Sequence, residues 1–199
     1  MAKKDVPTRG LRHSQTPIMV DQMRALRDMA RRAGEGASQA SLPDQIGAIL
    51  TSNMLAGFAL ELGLKLFFMS FKETPPPGTH NLKTLFDDFP LNWRTAIDSA
   101  YRSDSRSRAN YLVTGFQMSG TPPATSQEDV EAGSFGSADA FFDSVSLIFV
   151  RSRYFFEEVF AAEWVFVTHP IEQMLAMIDV LDAFYHHVLR EAAWGNPAG

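Results

Sequence analysis

The sequence predicts an all-α fold, a helical bundle of about five to six helices with long antiparallel core helices. Three observations predict it. Apolar residues recur at helical spacing over three long segments. Residues that start and stop helices bracket those segments. Three helices with apolar stripes can bury them only against one another, and that makes a bundle.

Residues 1–16 carry Lys3, Lys4, Arg9 and Arg12 against Asp5, and read as a flexible basic N-terminal arm. A single helical-bundle domain is expected over 17–195. Its first helix is predicted over 17–33, with Thr16 as N-cap and Pro17 in the first helical position. Met19, Met23, Leu26 and Ala30 make its apolar stripe, and Gly34 and Gly36 read as its stop. The second helix starts after Ser41, where Asp44 completes a variant capping box. Ile46, Ile49, Leu50, Met54, Phe58, Leu62 and Phe68 carry its period, and the wide apolar coverage implies several neighbours. Pro75, Pro76, Pro77 and Gly78 end it. A short helix then follows Thr79 with Leu82, Leu85 and Phe86, and Pro90 closes it. The next, over 92–102, places Trp93, Ile97 and Tyr101 at spacings of four.

Residues 103–136 are rich in glycine, proline and small polar side chains, and read as a mobile loop. A further helix is predicted from Ser137 through Val159, with Phe141, Val145, Ile148, Phe149 and Phe156 along it. Trp164 to Val167 is β-prone but isolated, and reads as an extended link. Thr168 is placed as the cap of the last helix, with Pro170 in its first turn. Ile171, Met174, Leu175, Ile178, Leu181, Tyr185, Val188 and Leu189 follow the helical period up to Gly195 and Pro197.

Composition narrows the function classes. The chain has 199 residues, enough for a substantial core, and its net charge of −5 argues against a broad nucleic-acid surface while allowing a local basic groove. The absence of cysteine excludes disulfides, thiolate metal ligands and a cysteine nucleophile, and fits a cytoplasmic setting. Glu61 and Lys65 interrupt the apolar stretch Met54–Phe71, so no membrane span and no membrane partner are expected. No apolar run follows Lys3 and Lys4, so the start does not read as a signal peptide.

The informative residues are those that break the apolar stripes. Glu61 lies in the most apolar part of the second helix, one turn before Lys65. Arg153 and Glu157 sit four apart with Tyr154 between them. An unpaired buried charge costs several kcal/mol, so inward-facing charges must pair. Glu61 is expected to meet Arg153, with Tyr154 adding a hydrogen bond. The plainer reading of such a pair is a structural one that sets helix register. His80 and Asn81 open the short third helix, where a cap or packing role competes with a chemical one. Asp182, His186 and Arg190 share one face of the last helix, read as solvated rather than metal-binding. Arg102, Arg106 and Arg108 sit among serines in a segment read as a solvated loop. There is no phosphate loop, nucleophile elbow or metal-binding helix motif, so no metal and no cofactor are expected.

Three patches together resemble a known family. The stretch Phe58-Ala-Leu-Glu61-Leu-Gly-Leu-Lys65, the start Thr79-His80-Asn81-Leu82, and the later Arg153-Tyr154-Phe-Phe-Glu157 occur in the order found in HEPN-type bacterial proteins. They cover about a quarter of the chain. The resemblance implies an all-α bundle that assembles as a homodimer, with ribonucleases of toxin–antitoxin, defence and RNA-processing systems among its members. Catalytic members carry arginine, four to six residues, then histidine. No such spacing follows Arg151, Arg153 or Arg190. The implied function is therefore a non-catalytic module binding RNA, a nucleotide or a protein partner in bacterial defence or stress. A ribonuclease with a rearranged active site, such as His80 with Arg153, is one alternative, and a structural homodimer without ligand is another. Glu61, Lys65, His80, Asn81, Arg153, Tyr154 and Glu157 form the candidate central polar site, with no catalytic residue assigned.

Overall fold

The computed structural model describes residues 8–37, 42–71, 75–117, 130–132, 134–153 and 164–194. In chain order these form α1 (Thr8–Ala37), α2 (Leu42–Phe71), α3 (Leu82–Asp87), α4 (Leu91–Ser103), a 3-10 turn (Ser105–Arg108), β1 (Tyr111–Gln117), β2 (Val130–Ala132), α5 (Ala138–Ser144), α6 (Ile148–Arg153), β3 (Trp164–His169) and α7 (Ile171–Trp194).

The fold is an all-α helical bundle built around α2, with a small sheet added to it. Ala56, Ala59, Leu60, Leu64, Leu66, Phe67 and Phe68 of α2 are all buried, and a helix so widely apolar needs neighbours on several sides. α1 supplies one. Met23 opposes Gly63, and the Ala30 carbonyl accepts from the Ser52 hydroxyl at 2.9 Å, so α1 and α2 run antiparallel. α7 supplies another, with Leu181 beside Gly63 and Tyr185 beside Phe67, so it runs parallel to α2. All three helices converge at Gly63. A Cβ there would lie 2.9 Å from Met23 Sδ and 3.3 Å from Leu181 Cδ1, so the missing side chain permits the close approach.

At the C-terminal end of α2, Phe67 sits among rings from α4 and α7. α3 and α5 close this end, with Phe86 stacked on Phe142 at 4.5 Å. Gly136, at φ +69°, makes the left-handed step into Ser137, whose hydroxyl caps α5 at the Ala140 N–H. The Ala138 N–H donates to Asp98 at 2.7 Å, which ties α5 to α4.

α2 is also long and apolar enough to cross a membrane by length and composition alone, contrary to the sequence expectation. In this fold 56% of that stretch is buried inside the protein, as the central helix of the bundle.

Other boundaries differ from the sequence reading for physical reasons. α1 begins at Thr8, so residues 8–16 of the expected arm are helical and Pro17 lies inside the helix. Leu11, Arg12 and Gln15 are good helix formers and carry the helix across that point. Residues 1–7 lie outside the described part. α1 also passes through Gly34 and Gly36. A Cβ on Gly34 would lie 3.2 Å from Ser52 Oγ, so this glycine serves packing rather than termination.

Within the expected 103–136 loop there is regular structure. Asp104 caps the 3-10 turn, and β1 is the central strand of an antiparallel sheet of order β2-β1-β3. The stretch from Trp164, read as an isolated link, is β3, with Leu112 opposite His169 and Gln117 opposite Trp164. Residues 118–129 and 133 lie outside the described part. Thr168 therefore ends a strand, and the Pro170 carbonyl accepts the first helical bond of α7, from the Met174 N–H.

The helix expected from Ser137 through Val159 breaks at Val145–Leu147. The Ser146 carbonyl accepts instead from the Leu82 N–H at 2.9 Å, so the bond that would continue the helix goes to α3. Residues 154–163 lie outside the described part.

A close approach positions α6. A Cβ on Gly57 would fall 3.0 Å from Phe149 Cβ and 3.1 Å from its backbone nitrogen. Because backbone cannot give way as a side-chain tip can, Gly57→Val is expected to lower stability by about 2 kcal/mol, read as an earlier urea midpoint. An unchanged midpoint would mean that α6 does not rest on α2 at this point.

Candidate functional site

The site begins with Glu61, which is only 3% exposed although it is an acid on an apolar helix. Two partners offset the cost of burying it. Lys65, one turn on, places Nζ 2.7 Å from Oε1. His80 places Nδ1 3.0 Å from Oε1 and 3.0 Å from Oε2. Because a carboxylate only accepts, Nδ1 carries the hydrogen and donates it. The opposite edge of the ring, with Nε2, then faces outward from a side chain that is 57% exposed.

Local structure holds His80 in place. Asn81 is the N-cap of α3, its side chain accepting from the Thr84 N–H at 2.9 Å. Its own N–H donates to Thr79 Oγ1 at 3.0 Å. With Leu82 bonded to Ser146, the segment from Thr79 to Leu82 is tied on both sides. Asn81 is thus a cap beside the site.

On the other flank, Phe149 of α6 lies 5.9 Å from the His80 ring and stacks on Phe58 at 5.4 Å with 22° between planes. The row Phe58, Phe149, His80 was not read from the sequence as a unit. The spacing of four between Phe58 and Leu62 suggested only core packing.

The structure brings together Glu61, Lys65 and His80. The partners it gives Glu61 are Lys65 and His80, whereas Arg153, expected to meet Glu61, stands exposed in the last turn of α6. Tyr154 and Glu157 lie outside the described residues. Among the described residues no group of three or more histidines, aspartates or glutamates could hold a metal ion. What the cluster can do is present a fixed imidazole edge to a ligand. The Glu61 and Lys65 charges cancel, so the outward face is that of a hydrogen-bonding ring beside aromatic surface.

A second polar assembly joins α1, the 3-10 turn and α7. Arg24 bonds Asp182 with both Nε (2.7 Å) and Nη2 (3.0 Å), and its Nη2 lies 2.8 Å from His186 Nε2. Arg27 reaches Asp179 at 2.5 Å, and Arg106 reaches the other oxygen of Asp179 at 2.9 Å. The hydrogen bond from Arg106 holds the Asp104 carboxyl below its ordinary range, and the bond to Asp182 raises Arg24. The face of Asp182, read as solvated, is therefore part of the α1–α7 contact. Its signal was present in sequence: arginines at 24 and 27 match aspartates at 182 and 179, the same spacing of three in opposite directions. The expected loop arginine Arg106 is likewise a fastener. Asp104 and Asp179 absorb its charge, and nothing of it points to phosphate.

Two further buried polar groups stand apart. The Asn53 side chain donates to the Thr168 carbonyl at 2.8 Å, while among the described residues its Oδ1 and the Nε2 of His169 have no hydrogen-bond partner. Burial pushes His169 down to about 4.

Comparison with family models, with curated proteins and with solved structures finds no match to this chain.

Proposed function

We propose that this chain is a HEPN-like, non-catalytic helical module that binds RNA or a nucleotide at the Glu61–Lys65–His80 face. The observation that carries the reading is the buried carboxylate of Glu61, which spends its hydrogen-bonding capacity on orienting an exposed imidazole. A merely structural ion pair is complete with Lys65. The second partner, held by a capped turn, fixes the direction in which Nε2 points. Homodimer assembly belongs to the same reading, and light scattering that gave a monomer mass would remove that part of it.

The test is a titration of fluorescent single-stranded RNA and of a fluorescent nucleotide with purified protein. His80→Ala is expected to weaken binding about tenfold, the size of one lost hydrogen bond in a bound complex, with the thermal melt unchanged. Wild-type protein that binds neither probe overturns the proposal.

One observation favours a second reading, ribonuclease activity. With Nδ1–H committed to Glu61, neutral His80 offers Nε2 as a proton acceptor, the arrangement a general base needs. Cleavage of labelled RNA by the wild type, lost in His80→Ala, would replace the non-catalytic reading with this one.

A further inference from the structure

We propose that the Phe58–Phe149 ring pair is a stacking shelf for one unstacked nucleobase, an inference that rests on the nucleotide- or RNA-binding reading of the adjacent site. The argument starts from Gly57. α6 approaches α2 so closely there that Phe149 cannot lie between the two helices. Its ring goes to the flank instead and stacks on Phe58. Phe58 stays 38% exposed, while Phe67 and Phe68 on the same helix are buried almost completely. An exposed phenylalanine in offset contact with a second ring presents a flat apolar face, and stacking onto such a face accepts any base.

Polar groups beside the shelf fit the rest of a nucleotide. The His80 ring lies 5.9 Å from Phe149 and turns its Nε2 edge outward, within reach of a base edge or a ribose hydroxyl. Arg153 is exposed four residues after Phe149, on the same face of α6, and Arg151 is exposed beside it. These are cations on the side where a phosphate follows the sugar. The acidic whole of the chain makes this local pair the distinguishing feature. Lys65 takes no part, since Glu61 holds it.

The probes are a short uridine oligomer carrying one 2-aminopurine, the same oligomer with an abasic site in its place, and free AMP. Wild-type protein should quench the 2-aminopurine on binding and bind the base-containing oligomer more tightly than the abasic one. Phe58→Ala should weaken the base-containing oligomer about tenfold and leave the abasic one unchanged. Phe58→Trp should hold or tighten binding. Phe58→Leu, which keeps apolar bulk without a π face, serves if the alanine variant lowers the melt. Displacement by AMP assigns the shelf to a free nucleotide, and displacement only by the oligomer assigns it to a strand; either supports it. Equal binding of the base-containing oligomer by wild type and Phe58→Ala overturns the shelf and leaves the binding site standing. Absence of binding by all three probes overturns both.

Discussion

Phe67→Ala is expected to lower the unfolding free energy by about 4 kcal/mol and the melting temperature by about 8–16 °C. Phe67 is 1% exposed and touches five rings. Phe71, Phe89, Trp93, Phe184 and Tyr185 have centroids 5.2 to 6.0 Å away, and the Tyr185 ring meets it edge-on at 85°. The substitution removes the transfer free energy of a whole ring. It also leaves a cavity walled by rigid aromatics from α2, α4 and α7, which collapse poorly. Urea unfolding measures the loss, and Phe67→Leu should recover more than half of it. A loss under about 1 kcal/mol would mean that these three helices do not share one core.

Acid should destabilise the fold through His169, by up to about 3 kcal/mol. Burial at the end of β3 pushes its pKa down to about 4, whereas in the unfolded chain the ring titrates near about 6.5. Between those values the unfolded state binds the proton and the folded state does not. Stability is therefore full above about pH 6.5, falls as pH drops toward about 4, and takes no further loss from this group once both states are protonated. The Asp104 carboxylate, held down by Arg106, adds its own loss only at lower pH. In His169→Gln the drop between about pH 7 and pH 4 should shrink by most of the stated amount. Equal drops in the variant and the wild type, by urea midpoint, would show that the imidazole does not resist protonation.

Much of the candidate site was legible as a list and little of it as a geometry. Glu61 and Lys65 were marked because charges on an apolar helix must find partners, and they pair one turn apart. His80 was marked only as a residue at a helix start. That it completes the Glu61 cluster depends on how the chain folds back after Gly78, a turn with no periodic signal. The expected Arg153 partner illustrates the same gap. Its helix was placed correctly in sequence, but the break at Val145–Leu147 resets the phase of everything after it. Phe149 consequently arrives beside His80, while Arg153 ends exposed.

By itself, the sequence determined the three long helices and their burial against one another, because a 3.6-residue apolar period leaves a helix no other way to hide its stripe. It also determined the caps at Asn81 and Ser137, which depend on neighbours within three residues. Only the tertiary structure decided the sheet, since β1 finds its β3 partner about fifty residues along the chain and no local pattern announces a pairing that distant. Gly34, Gly57 and Gly63 belong to the same class: in sequence a glycine reads as a stop or a weak point, and only a neighbouring helix pressed against the missing side chain shows what it is for.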